Sequence, residues 1–202
     1  KMGGFLMPTE TLSANANGST NQWGQSHLGV QEYQTIDETS LSGAGTDYIN
    51  ATVNGRRSMF GFTNTSAASG ATINSVTIHI AAKESGTSNV KYVVDADGDG
   101  SGLDVSSTAQ ALTTTLTEYT KEYTTNPDTS NAWTSSEIDA AEFGVQCHQS
   151  LGRNTAFVYA IWVVVDYTAA GYGHKVSGVA AANIGKVNGV ATANIGKINT
   201  VD

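Results

Sequence analysis

The sequence predicts an all-β protein: a jelly-roll-like two-sheet β-sandwich with one short helix on a connection and an extended C-terminal repeat tail. Three observations predict it. Gly, Ser and Thr make up 67 of the 202 residues while charged residues reach only 14%, so a coiled coil or helix-rich globule is excluded for want of helix formers. Hydrophobic residues still reach 39%, enough for a core, and Thr with Val suits pleated, half-buried strands. Apolar residues recur with period two, and clusters of Gly, Asn, Asp and Pro separate the runs.

Taken in order, residues 1–19 read as an N-terminal arm, whose opening Lys1-Met2-Gly3-Gly4-Phe5-Leu6-Met7-Pro8 lacks the long apolar stretch of a secretory signal. The sandwich is expected over 20–168. Val76-Thr77-Ile78-His79-Ile80 alternates apolar with polar, as do Val90–Val94, less strictly, and Phe143–His148; each reads as a strand with one wet face. From Phe157 to Tyr167 the alternation vanishes, with Phe157, Tyr159, Ile161, Val163 and Val165 on one face and Val158, Ala160, Trp162 and Val164 on the other. A strand apolar on both sides is central or covered by a partner. Turn signals stand at Asn54-Gly55, Ser85-Gly86-Thr87, 98–102 and Asn126-Pro127-Asp128. One short helix is predicted over Thr134–Ala141, with Thr134 as N-cap and Glu137 completing a capping box.

A hinge follows at 169–174, then a tail over 175–202 with an eleven-residue repeat: Lys175 to Gly185, Lys186 to Gly196, then Lys197 to Val201. Two Gly per unit exclude a helical supercoil of that period. Each unit reads as two short strand segments joined at a Ser-Gly or Asn-Gly turn. So few units cannot bury their own apolar residues. Val176, Val179, Ile184, Val187, Val190, Ile195, Ile198 and Val201 are therefore expected to meet sister copies, another protein or the body.

The net charge of −8 and pI near 4.8 argue against nucleic acid as a partner. The tail carries three Lys against one Asp, so the acidity lies in the body. The longest unbroken apolar run, Phe157 to Val165, is far short of a bilayer span, so no membrane partner is expected. Cys147 is the sole cysteine and makes no internal disulfide.

Four carboxylates form the sharpest local motif. Asp95, Asp97 and Asp99 at every second position, with glycines for a sharp turn, match the first half of a calcium loop, and Asp104 is the candidate late ligand. The twelfth position is Ser106 and no bidentate Glu, so a solvated acidic turn is the competing explanation. Cys147-His148 is not expected to be a catalytic dyad, because strand neighbours point to opposite faces. Among the aromatics, Trp133 and Trp162 read as core, leaving Trp23 and Tyr172 as candidate glycan contacts.

Gln22-Trp23 followed by His27-Leu28-Gly29, Tyr33 and Ile36-Asp37-Glu38, then Asp47-Tyr48-Ile49 and Met59-Phe60-Gly61-Phe62, resembles a β-sandwich domain of virion structural proteins of tailed bacteriophages. Ile73 to Ile78, Ala81-Ala82-Lys83, Tyr119 to Tyr123, Ala132-Trp133-Thr134 and Val165 to Thr168 continue the likeness, and the Lys-Val-Asn-Gly-Val-Ala repeat is similar to C-terminal repeats of such proteins. The resemblance implies a non-enzymatic decoration or fibre component of a particle, made in the host cytoplasm and carried in the virion. Its tail would dock to sister copies or to a major capsid or tail protein. Two readings stay open beside it. One is a carbohydrate-binding module or adhesin that meets a host-surface glycan through its aromatics or the 95–104 loop. The other is an extracellular filament subunit that donates 175–201 as a strand.

Overall fold

A computed structural model of the chain describes residues 8–67, 70–149 and 154–169, with two short segments at 186–187 and 190–191. Two antiparallel sheets enclose one apolar core, as the alternating patterns require. The long apolar strand β11 (Ala156–Thr168) is central in the first sheet. Along one side it pairs with β5 (Thr72–Glu84), which in turn carries β9 (Thr117–Tyr123). Its other side is divided. β3 (Ile49–Ala51) faces Ala156–Val158, with β2 (Gly24–Gln25) outside it, while the start of β1 (Thr9–Asn21) faces Trp162–Asp166.

The second sheet runs from the end of β1 through β4 (Arg57–Phe62) and β10 (Glu142–His148) to β6 (Asn89–Asp95). The short β7 (Asp104–Val105) and β8 (Gln110–Ala111) share its edge. Strand β1 thus belongs to both sheets, changing partner after Ser13, and its register on β4 shifts between Ala14 and Ala16. Such irregularities let a strand turn the corner of a sandwich. The stretch 1–19, expected as an arm ahead of the body, is therefore part of the body from Thr9 onward: Leu12 and Ala14 are buried in the core.

The faces of β11 also differ from simple alternation. Its register on β5 shifts between Val158 and Ala160, so the strand carries a bulge at Tyr159. The extra residue reverses parity. Val158 joins Ile161, Val163 and Val165 in the main core, while Tyr159, Ala160 and Trp162 share the opposite face with Ala81. That second face is covered from within the chain, by Leu41, Ala44, Tyr48 and Leu116. Tyr48 meets Phe157 edge-on at 5.1 Å, and the Lys83 ammonium lies 5.0 Å from the Tyr159 ring.

The expected helix is α1 (Ser135–Ala140), with Thr134 as N-cap accepting from the Glu137 N–H and Glu137 accepting from the Thr134 N–H. Ile138 is its buried residue. Trp133, just before it, packs in the core against Phe143 at 6.2 Å. In the tail, β12 (Lys186–Val187) and β13 (Val190–Ala191) pair antiparallel, Val187 opposite Val190.

Candidate functional site

An open groove of about 580 Å³ is lined by Asn21, Gln22, Asn54, Gly55 and Arg56. A smaller one of about 230 Å³, lined by Gln22, Gly24, Asn50, Ala51, Thr52, Val53 and Arg56, shares Gln22 and Arg56 with it. Both lie where the end of β1 and the 52–56 turn before β4 meet. The turn is built by Asn54-Gly55: Gly55 has φ +85°, the left-handed region that glycine enters freely, and its N–H donates to the Cys147 carbonyl at 2.8 Å. Thr52 to Arg56 are all exposed.

The polar groups of the groove are held in fixed senses. The Arg57 N–H donates to Gln22 Oε1 at 3.1 Å, and the Gln149 N–H donates to Asn54 Oδ1 at 3.0 Å. A backbone N–H can bond only the amide oxygen, so each NH₂ group is left outward as a donor. Asn21 is held the other way, its Nδ2 donating to the Gly18 carbonyl at 3.0 Å, which leaves Oδ1 as an acceptor. Arg56 Nη1 donates to the Gln22 carbonyl at 3.0 Å. Among the described residues, Arg56 is the one ionisable residue lining either groove.

Beneath this surface lies a buried polar chain. Trp23 is 7% exposed, its indole Nε1 donating to the Arg56 carbonyl at 3.1 Å. Its backbone N–H donates to Ser58 Oγ at 3.2 Å, and that hydroxyl donates to Glu32 Oε1 at 2.7 Å. Trp23, expected as an exposed platform, is therefore a support under the groove: its ring sits in the core and only its N–H serves the backbone. Burial pushes the Glu32 carboxyl up to about 7, the Ser58 hydrogen bond opposing it only in part.

The 95–104 loop brings together three of its four candidate ligands. Carboxylate oxygens of Asp95, Asp97 and Asp99 all lie within 4.8 Å of one another. Asp104 stands apart in β7 opposite Val94, where its charge adds to burial, the larger cause, in disfavouring ionisation of the Tyr123 phenol. The three carboxylates also fold their own loop. Asp95 accepts from the Gly98 N–H at 3.1 Å and the Gly100 N–H at 2.8 Å; Asp99 accepts from the Ser101 N–H and hydroxyl, each at 2.7 Å. Burial holds the Asp95 carboxyl above its ordinary value, while the Ser101 bonds lower that of Asp99. Three clustered carboxylates are a donor set suited to a hard cation, which would draw its remaining ligands from carbonyls or water.

Cys147 is fully buried and its neighbour His148 half-buried, as strand alternation requires; burial pushes the thiol up to about 11. Trp162 is 4% exposed and stacked on His79 at 5.1 Å. Val187 and Val190 fall in the tail hairpin, while Tyr172, Val176, Val179, Ile184, Ile195, Ile198 and Val201 lie outside the described residues. Gln22, Arg56 and Glu32 carry no sequence signal of a site. Only the Asn54-Gly55 turn was legible.

No protein-family model matches the chain, and no curated protein matches it. Among solved structures it is similar to a xylan-binding module CBM15, at 13% identity and a TM-score of 0.43, covering 79% of this chain and 97% of that one. It is similar also to the C-terminal CBM6 of LamC, a marine laminarinase from Zobellia galactanivorans, at 9% identity and a TM-score of 0.42, covering 79% and 99%. A third is the CBM22-1 xylan-binding domain from Paenibacillus barcinonensis Xyn10C, at 14% identity and a TM-score of 0.38, covering 79% and 94%.

Proposed function

We propose that this chain is a non-catalytic glycan-binding β-sandwich whose contact surface is the groove between Asn21 and Arg56. The observation that carries the reading is the fixed hydrogen-bonding sense of that groove: outward N–H donors from Gln22, Asn54 and Arg56 beside an acceptor at Asn21. Sugar hydroxyls both donate and accept, and recognition is efficient when the protein's partners are already oriented. Calcium at Asp95, Asp97 and Asp99 belongs to the same proposal, as a brace for the adjoining edge of the second sheet.

Screening the full chain on a glycan array, in calcium and in EDTA, tests both parts. Binding is expected for the parent protein and a loss of about tenfold or more for Arg56→Ala, whose side chain makes one hydrogen bond to the rest of the fold. Asp97→Asn, which removes one cation ligand, should behave in calcium as the parent does in EDTA. A parent protein retained by no glycan would remove the reading. Identical behaviour in calcium and EDTA would remove the cation alone.

A second reading, docking of the 175–202 tail in a virion or filament, is favoured by the tail hairpin. Among the described residues β12 and β13 pair only with each other, and an isolated two-stranded hairpin is marginal in water. Removing 171–202 should leave a folded body that is monomeric by light scattering while the full chain is larger. Equal masses for the two would count against tail-mediated assembly.

A further inference from the structure

Taking the groove as the glycan site, we infer that its ligand is an acidic glycan, with a uronic-acid carboxylate seated on the free edge of the Arg56 guanidinium. Five observations lead there. Arg56 has no carboxylate partner: the ion pairs among the described residues are His27–Asp47 and His79–Glu118. Its Nη1 is spent on the Gln22 carbonyl, which orients the plane and leaves Nε and Nη2 without a partner among the described residues. Those two N–H groups are the side-by-side pair that grips a planar carboxylate with two parallel bonds.

The backbone beneath is pinned as well, since the Arg56 carbonyl accepts from both the Trp23 indole and the Cys147 N–H at 3.1 and 2.8 Å. The flanking amides of Gln22 and Asn54 present further N–H donors, and Asn21 Oδ1 remains to accept from a ring hydroxyl. Finally, no aromatic ring among the described residues lines either groove, Trp23 lying below the surface. The described lining thus offers charge-assisted hydrogen bonds in place of a stacking face. The chain is acidic overall, and at physiological salt the pull of its distant exposed charges is screened over about 8 Å.

Calorimetry on the full chain should compare oligogalacturonate, oligomannuronate and oligoglucuronate, each with the same oligosaccharide after reduction of its carboxylate to the alcohol. At least one acidic member is expected to bind about tenfold or more tightly than its reduced counterpart. Arg56→Gln should abolish that difference, and Arg56→Lys should restore only part of it, because a point charge lacks the fork. Reduced and acidic forms binding equally would overturn the acidic preference while leaving the glycan groove intact. So would a preference that survives in Arg56→Gln. If none of the six is bound and a glycan array is also blank, the groove reading falls and this inference with it.

Discussion

Replacing Gly144 by alanine is expected to lower stability by about 3 kcal/mol or more, beyond the upper end of ordinary overpacking. Gly144 lies in β10 between Met59 of β4 and Val93 of β6. A Cβ there would stand 2.1 Å from the Ser58 carbonyl oxygen, 2.8 Å from Met59 Sδ and 3.0 Å from Met59 Cα. A thioether can swing aside, but the carbonyl and Cα belong to a strand held by ladder hydrogen bonds on both sides. The neighbouring strand must move, and Phe60 and Phe143 beside it are fully buried. Gly61 supplies the control, being paired with Glu142 in the same ladder. Its added Cβ meets Ala16 Cβ at 3.4 Å, ordinary contact, so Gly61→Ala should be neutral or gain about 0.5–1 kcal/mol from reduced chain entropy. Urea midpoints for the two variants separate the cases. Similar midpoints would mean that β4 and β10 do not approach as closely as described.

Glu32→Gln is expected to make the protein more stable at pH 8 and to leave it nearly unchanged at pH 4.5. The Glu32 carboxyl is 6% exposed and raised from an ordinary 4.5 to about 7 by burial. Below pH 4.5 it is protonated whether the chain is folded or not, and contributes no pH dependence. Between 4.5 and 7 the unfolded chain gives up the proton while the folded chain keeps it, so stability falls as pH rises, by about 1.4 kcal/mol per pH unit. Above 7 the penalty is complete at about 3 kcal/mol. Glutamine retains an oxygen for the Ser58 hydroxyl and cannot ionise. Since all other titrations are common to both proteins, the difference in unfolding free energy between pH 4.5 and 8 isolates this carboxyl. A difference that stays flat across that range would show that Glu32 is solvated in the folded state.

The strands at 76–80, 90–94, 143–148 and 157–167 and the capped helix after Thr134 were legible because each is specified locally. Alternation selects a half-wet strand, and a Thr-x-x-Glu spacing satisfies two orphan N–H groups whatever else surrounds it. The faces of β11 were not. One bulge at Tyr159 reverses parity, and a bulge is decided by the partner strand, so Ile161 and Trp162 stand on faces opposite to those of their unbulged neighbours at 157 and 158. Trp23 illustrates the same limit. Nothing adjacent in sequence shows that Arg56 and Ser58 will supply acceptors for its two N–H groups.

The sequence alone determined the fold class, four of the long strands, the capped helix after Thr134, and the crowding of Asp95, Asp97 and Asp99, since each depends on residues a few positions apart. Tertiary structure decided the rest: that β1 serves both sheets, that Asp104 leaves the acidic cluster, and that Gln22, Asn54 and Arg56 converge on one groove. The physical reason is range. Propensity and capping act within a turn or two of chain, whereas pairing register and burial are set by strands that meet only when the sheets close.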